Sequence, residues 1–167
     1  MKAKLSKYRE ELQKQFLYDL GCSLKENSEV DCRPLDVRIT IPAFLNLKVY
    51  LFPNTNPPGG RSADEYKFNL NVPGQVAGQK GNFDYTEGLP VLISYTEEFG
   101  VYIIYDESMH KDFSCNANVQ SKLGLILDAL TTQVATAKKA SGEELIAVKR
   151  NNLIEGIRYW LKRNSEK

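Results

Sequence analysis

A chain of 167 residues that is 42% hydrophobic is long enough to bury one core and short for two, so a single domain over residues 1–167 is expected. Its apolar runs, such as 90–93 and 101–105, fall far short of the roughly 20 residues that cross a bilayer, and the first residues are too polar for a signal peptide, so a cytoplasmic chain without membrane contact is expected. A formal net charge of +1 excludes a uniformly basic phosphate binder, and three cysteines with no Cys-x-x-Cys pair argue against a disulfide framework or a structural zinc site.

Leu5, Tyr8, Leu12, Phe16 and Leu20 recur at helical spacing ahead of Gly21, which predicts an amphipathic helix over 3–20. Apolar residues then alternate with polar ones from Leu35 to Ile41 and again from Leu45 to Leu51, the pattern of two half-buried strands. The segment from Pro53 to Gly60 is too rich in Pro and Gly for a ladder and reads as a stiff protruding loop. Tyr66, Phe68, Leu70 and Val72 mark a further strand, and a polar connection follows from Gln75 to Gly88. Leu89 to Tyr95 and Val101 to Tyr105 bracket a turn at Gly100 and predict a core hairpin. Leu123, Ile126, Leu127 and Leu130 define one face of a helix capped by Asn118 or Ser121, Glu144 to Lys149 reads as a last strand, and Asn151 or Asn152 caps a closing helix over 151–163. Many alternating strands with few helices predict a β-rich α+β fold, an open pseudobarrel of about seven strands with flanking helices and a barrel core over about 35–150.

Two polar stretches carry the candidate chemistry. The first arm, Asn54 to Glu65, contains Asn54, Asn56, Arg61, Ser62 and Asp64 and leads into Lys67; a guanidinium presented there binds phosphate or reads guanine bidentately. The second, around Lys111 to Lys122, offers Ser114, Asn116, Asn118, Gln120 and Lys122. Two such arms flanking a sheet fit a clamp on nucleic acid, against the plainer reading of ordinary solvated loops. The basic residues near both ends, among them Lys2, Lys4, Lys7, Arg9, Lys149, Arg150 and Lys162, read mostly as solvated helix faces.

A competing enzyme reading uses Glu65-Tyr66-Lys67 as a Glu-x-Lys string with Asp36 as the upstream carboxylate, two acids holding Mg²⁺ while Lys67 assists an attacking water. No P-loop, GxSxG, HExxH or GxGxxG string is present, and Gly78-Gln-Lys80-Gly81 lacks the spacing and hydroxyl of a phosphate loop and reads as a turn. A third reading, a protein-interaction module using surface Tyr and Phe, is opposed by the strand alternation that places most of them inside.

The string Arg61-x-x-Asp64-Glu65-Tyr66-Lys67-Phe68, the 89–105 hairpin, Tyr105-Asp106, His110 and the Ser114-x-Asn116-x-Asn118-x-Gln120 run resemble the DNA-recognition pseudobarrels of restriction enzymes. These are related in fold to the plant B-three domain and include the N-terminal domains of enzymes of the EcoRII type and of the LlaJI type of GTP-dependent restriction system. The resemblance spans roughly Leu35 to Leu130, with Tyr105 where such domains carry tryptophan. It implies site-specific binding of double-stranded DNA by two loop arms in the major groove, with Arg61 as the leading base or phosphate reader and His110 structural or facing DNA. It also implies no catalytic site, cofactor or metal within this domain, which would be the N-terminal part of a larger restriction protein, with motor and nuclease domains or subunits as partners.

Overall fold

The computed structural model describes residues 5–56 and 62–167. Helix α1 (Lys7–Leu20) leads into strands β1 (Leu24–Asn27), β2 (Leu35–Ile39), β3 (Leu45–Pro53), β4 (Glu65–Leu70), β5 (Lys80–Gly81), β6 (Leu89–Thr96), β7 (Val101–Ile104), β8 (Phe113–Ser114) and β9 (Ala117–Lys122). Helix α2 (Leu123–Ala129), strands β10 (Ala135–Lys138) and β11 (Glu144–Lys149), and helix α3 (Leu153–Ser165) complete the chain. The class is α+β. Seven strands form the main sheet in the order β1-β2-β3-β6-β7-β11-β10, antiparallel throughout except for the parallel β3–β6 pair. The sheet stays open at β1 and β10, while β4–β9 and β5–β8 form two separate ribbons.

Strand alternation decides which layer each side chain joins, because successive residues point to opposite faces. On β3, Leu47, Val49 and Leu51 face a core completed by Leu12 and Phe16 of α1 and by Leu153, Ile157 and Trp160 of α3. Tyr50 and Phe52 face the opposite way, into a second core with Tyr66, Phe68, Val119 and Ile126. The sheet is therefore a middle layer, with α1 and α3 on one face and the β4–β9 ribbon and α2 on the other. Burial on both faces explains the unbroken apolar runs of β7 and β11, which do not alternate.

Several expected elements take different bounds for local reasons. Helix α1 starts at Lys7 because the Ser6 side chain accepts from the Arg9 amide at 3.3 Å, closing the first turn. Gly21 ends it with φ 57°, as expected of that glycine. Neither Asn118 nor Ser121 caps α2: both lie within β9, and the Leu123 amide is satisfied by the Asp64 carbonyl at 2.8 Å. A 3₁₀ turn over Arg150–Asn152 precedes α3, and neither Asn151 nor Asn152 caps the helix through its side chain. Helix α3 carries an apolar stripe at helical spacing, with Leu153, Ile157 and Trp160 buried and Ile154 and Leu161 packed at its margin. The hairpin is also as expected, β6 and β7 being joined through Thr96–Gly100, with Gly100 at φ 66° and its amide donating to the Thr96 carbonyl at 2.9 Å.

Candidate functional site

The ribbon β4–β9 brings together two polar stretches that lie about fifty residues apart in sequence. Its antiparallel register sets Glu65 opposite Lys122, Lys67 opposite Gln120, and Asn69 opposite Asn118. These six side chains share one face. The intervening residues Tyr66, Phe68, Leu70 and Val119 are buried in the second core, which fixes the polar row outward. Thr55, just beyond β3, bridges to Lys67 and ties the ribbon to the main sheet. At the far end the Asn71 amide donates to Asn116 Oδ1 at 2.8 Å, with Asn116 held at φ 62°, a left-handed conformation that asparagine tolerates.

Cations stand on both flanks of this row. On the β9 side, Lys122, Lys138 and Lys139 line a pocket over Leu125 and Leu145, and the Lys139 ammonium donates to the Gln120 carbonyl at 3.1 Å. Lys122 also lies 3.4 Å from Glu65 and 3.9 Å from Asp64, exposed pairs that contribute little to stability. On the β4 side, Arg9 and Lys67 line a cleft of about 350 Å³ with Thr55, Asn69, Asn71 and Asn116. Arg9 donates to the Leu51 carbonyl at 2.6 Å and its guanidinium sits 4.8 Å from the centre of the Phe52 ring. Arg33 lies 5.1 Å from the same ring and donates to the carbonyl and side-chain oxygen of Asn71. Burial and the neighbouring Arg33 lower the Arg9 pKa to about 10, and burial lowers that of Arg33 as well.

A family model described as methylase-associated X1 matches residues 45–157, more than half of the 167-residue chain. The chain belongs to the methylase-associated X1 family. No curated protein and no solved structure matches it. The span that matches methylase-associated X1 runs from the start of β3 into α3 and contains both strands of the ribbon, whereas Arg9 and Arg33 precede it. No helix among the described residues is long and apolar enough to cross a membrane.

Within this methylase-associated X1 chain the expected site residues separate into distinct groups. Lys67, Asn118, Gln120 and Lys122 share the ribbon face, and Asn116 closes its end. Arg61 lies outside the described residues, as do the other residues of 57–61 on the first arm. Asn54 is corrected: it is 3% exposed, and its amide donates to Thr96 Oγ1 at 3.1 Å and Ser121 Oγ at 3.0 Å, so it faces the interior rather than a ligand. Asn56 is exposed but braces the arm's base by donating to the carbonyls of Ala63 and Glu65 at 2.9 and 2.8 Å. Ser62 donates to Asp64, a hydrogen bond that holds the Asp64 carboxyl below its ordinary pKa.

The second arm is corrected from a loop to strands. Ser114 belongs to the small β5–β8 ribbon, opposite Lys80, and Lys111 lies exposed just before it. Lys80-Gly81 of the supposed phosphate-loop string forms β5, after a turn in which Gln79 donates to the Val76 carbonyl at 3.0 Å. His110 is engaged within the fold: its Nε2 lies 2.7 Å from Glu143 Oε2, and Glu143 is 2% exposed. Burial raises the Glu143 pKa, but the hydrogen bond and charge of His110, Lys139 and the Asp106 amide outweigh it and hold the carboxyl low.

The nuclease arrangement does not assemble. Asp36 sits opposite Lys48 on β2–β3, whereas Lys67 bridges to Thr55, and at the rise of a strand the stretch from Lys48 to Thr55 spans roughly 20 Å. The one grouping of three possible metal ligands among the described residues is Glu29, Asp31 and Cys32, which includes none of Asp36, Glu65 or Lys67. Nothing in the sequence marks Arg9 and Arg33 as site residues, because it presents them only as one charge on a helix face and one in a loop. Their shared feature, the Phe52 ring, is a tertiary contact.

Proposed function

We propose that this chain is a non-catalytic, sequence-reading module of a restriction-modification system that binds double-stranded DNA through the β4–β9 ribbon. The observation that carries the reading is the outward row Lys67, Asn69, Asn118, Gln120 and Lys122, held by a ladder and flanked by cations on both sides. A two-stranded ribbon fits a major groove about 12 Å wide, where Asn and Gln pair bidentately with adenine. Lysines and arginines at the margins meet backbone phosphates and set register without reading sequence. Arg61, which precedes β4 in the chain, is the further reader that the first arm contributes. Membership of a family described as methylase-associated supports a place beside a methylase, with modification and cleavage carried by partner proteins or attached domains. Reading DNA in this way requires no cofactor.

The test is selection from a randomised duplex pool, with and without cytosine methylation, followed by affinities across a range of salt. The expected result is enrichment of a short sequence and a linear fall of log K with log salt, about −0.9 per phosphate neutralised. Failure to retain any duplex at low salt would refute the proposal.

A further inference from the structure

The cleft between α1 and the ribbon carries more positive charge than the fold uses. Among the described residues Lys67 forms no ion pair and no hydrogen bond through its ammonium, and Arg9 meets no carboxylate, spending a single donor on the Leu51 carbonyl. Among the described residues Arg33 also has no ion pair with a carboxylate, and its Nε is buried without an acceptor. Among the described residues no acidic side chain lines the cleft. Elsewhere the protein matches half-buried or buried charges carefully, as in Arg150 with Asp19 at 2.9 Å and Lys48 with Asp84 at 2.8 Å. Two guanidiniums gathered at one aromatic ring without a counter-charge repel each other, and the loss of hydration makes the repulsion more costly. The cation–π contact with Phe52 offsets only part of that cost.

We propose that this cleft is a phosphate-binding site in which Arg9 and Lys67 contact the oxyanion directly while Arg33 supplies charge from behind. On the DNA reading above, on which this step rests for the source of the group, the phosphate is one of the DNA backbone, beside the bases that the ribbon meets. Arg9 keeps free donors in a planar fork suited to two phosphate oxygens, and Lys67 adds a compact charge from the adjacent strand. The side chains of Thr55 and Asn69 supply neutral donors on the cleft wall. A bound phosphate anion would offset the repulsion between the two guanidiniums, which is consistent with the lowered pKa of Arg9 in its absence.

The experiment has two arms, run on the full chain and on Arg9→Gln, Arg9→Lys, Lys67→Gln and the distant control Lys162→Gln. In the first, unfolding temperature is measured in inorganic phosphate and in chloride at equal ionic strength. Phosphate also stabilises proteins non-specifically by exclusion from their surface, so the deciding quantity is the gain of the wild type over each variant. The expected result is a larger gain for wild type and Lys162→Gln than for Arg9→Gln and Lys67→Gln, with partial retention in Arg9→Lys. An equal gain in all five proteins overturns the site. In the second arm, the salt slope of duplex binding should become shallower by about 0.9 when Lys67→Gln removes one phosphate contact. If phosphate discriminates among the variants but no duplex binds, the anion site stands and the DNA reading fails. If duplex binds with the same slope in every variant and phosphate does not discriminate, the DNA reading stands and the cleft assignment fails. Lys67→Gln keeps the test decisive should Arg9→Gln unfold, since among the described residues the Lys67 ammonium makes no hydrogen bond or ion pair that the substitution would break.

Discussion

Replacing Asn54 by alanine separates a structural asparagine from a reading one. The residue follows β3, its backbone amide donates to the Tyr95 carbonyl at 2.9 Å, and its side chain donates to Thr96 Oγ1 and Ser121 Oγ. It therefore fastens the main sheet to β9. Thr96 and Ser121 are 1% and 3% exposed, so truncation removes two buried hydrogen bonds at a place that water does not readily reach. Each bond is worth about 0.5–1.5 kcal/mol net, and the stranded hydroxyls add part of their desolvation penalty. Against this, the Asn54 Oδ1 is buried without a partner, so its removal returns some energy. The balance is a destabilisation of about 2–3 kcal/mol, which for a chain of this length lowers the melting temperature by roughly 5–10 °C. The single tryptophan, Trp160, is 1% exposed in the core and reports the transition by fluorescence. Duplex affinity measured well below that transition should remain at the wild-type value. An Asn54→Ala protein with an unchanged melting temperature and weakened DNA binding would refute the interior assignment.

Two buried carboxyls should respond to pH with opposite sign. Glu143 is held below its ordinary pKa, so its contribution is present above the unfolded value and is lost as pH falls through the folded one; Glu143→Gln should flatten the acid limb of a stability–pH curve. Burial raises the pKa of Glu107 despite the hydrogen bond from Trp160 Nε1 at 3.2 Å, so its contribution is present below the unfolded value and lost as pH rises through the folded one; Glu107→Gln should raise the melting temperature at neutral pH and leave it unchanged in acid. At Gly81 an added Cβ would lie 2.5 Å from Phe113 Cε2 and from Gln75 Oε1, so Gly81→Ala should cost about 1–3 kcal/mol by urea unfolding, and an unchanged midpoint would contradict the packing of that ribbon. On the ribbon, Gln120→Ala should relax preference at one base pair by about 1–3 kcal/mol, whereas Lys122→Gln should weaken all duplexes alike; affinities for single-substitution duplexes distinguish the two.

Much of the scaffold is legible from periodicity alone, because burial on one face forces it. The stripe of α3 and the alternation of β2, β3 and β4 name the residues that enter the two cores. What stayed hidden is non-local. Strand β9 has the sequence of a polar arm because its inward positions are Ala117, Val119 and Ser121, so only one large apolar residue marks the alternation. Its partner β4 lies far away in sequence, and no local pattern names a pairing. Asn54 looked like part of an exposed loop because the hydroxyls that bury it come from residues 42 and 67 positions away. Strands β1 and β10 are edge strands with largely exposed side chains, which leaves them without a hydrophobic signature.

On the proposed function, a near-neutral net charge is compatible with binding DNA because the charges of the chain are unevenly placed. Interactions between exposed charges fade beyond a Debye length of about 8 Å at physiological salt, so a ligand on the ribbon feels local charge rather than the sum over the molecule. Several carboxylates are engaged away from the ribbon: Asp19 by Arg150, Asp84 by Lys48, and Asp106 by Lys167 at 2.7 Å. These pairs cancel in the total while contributing little field at the ribbon. Among the described residues Lys67 and Arg9 form no ion pair on one flank, and Lys138 and Lys139 stand on the other. Lys122 is partly offset by Glu65 and Asp64, which tempers non-specific attraction at the centre of the row. A face built this way should depend on salt through only a few phosphate contacts, leaving discrimination to the neutral amides of Asn69, Asn118 and Gln120, whose hydrogen bonds to base edges salt screens far less.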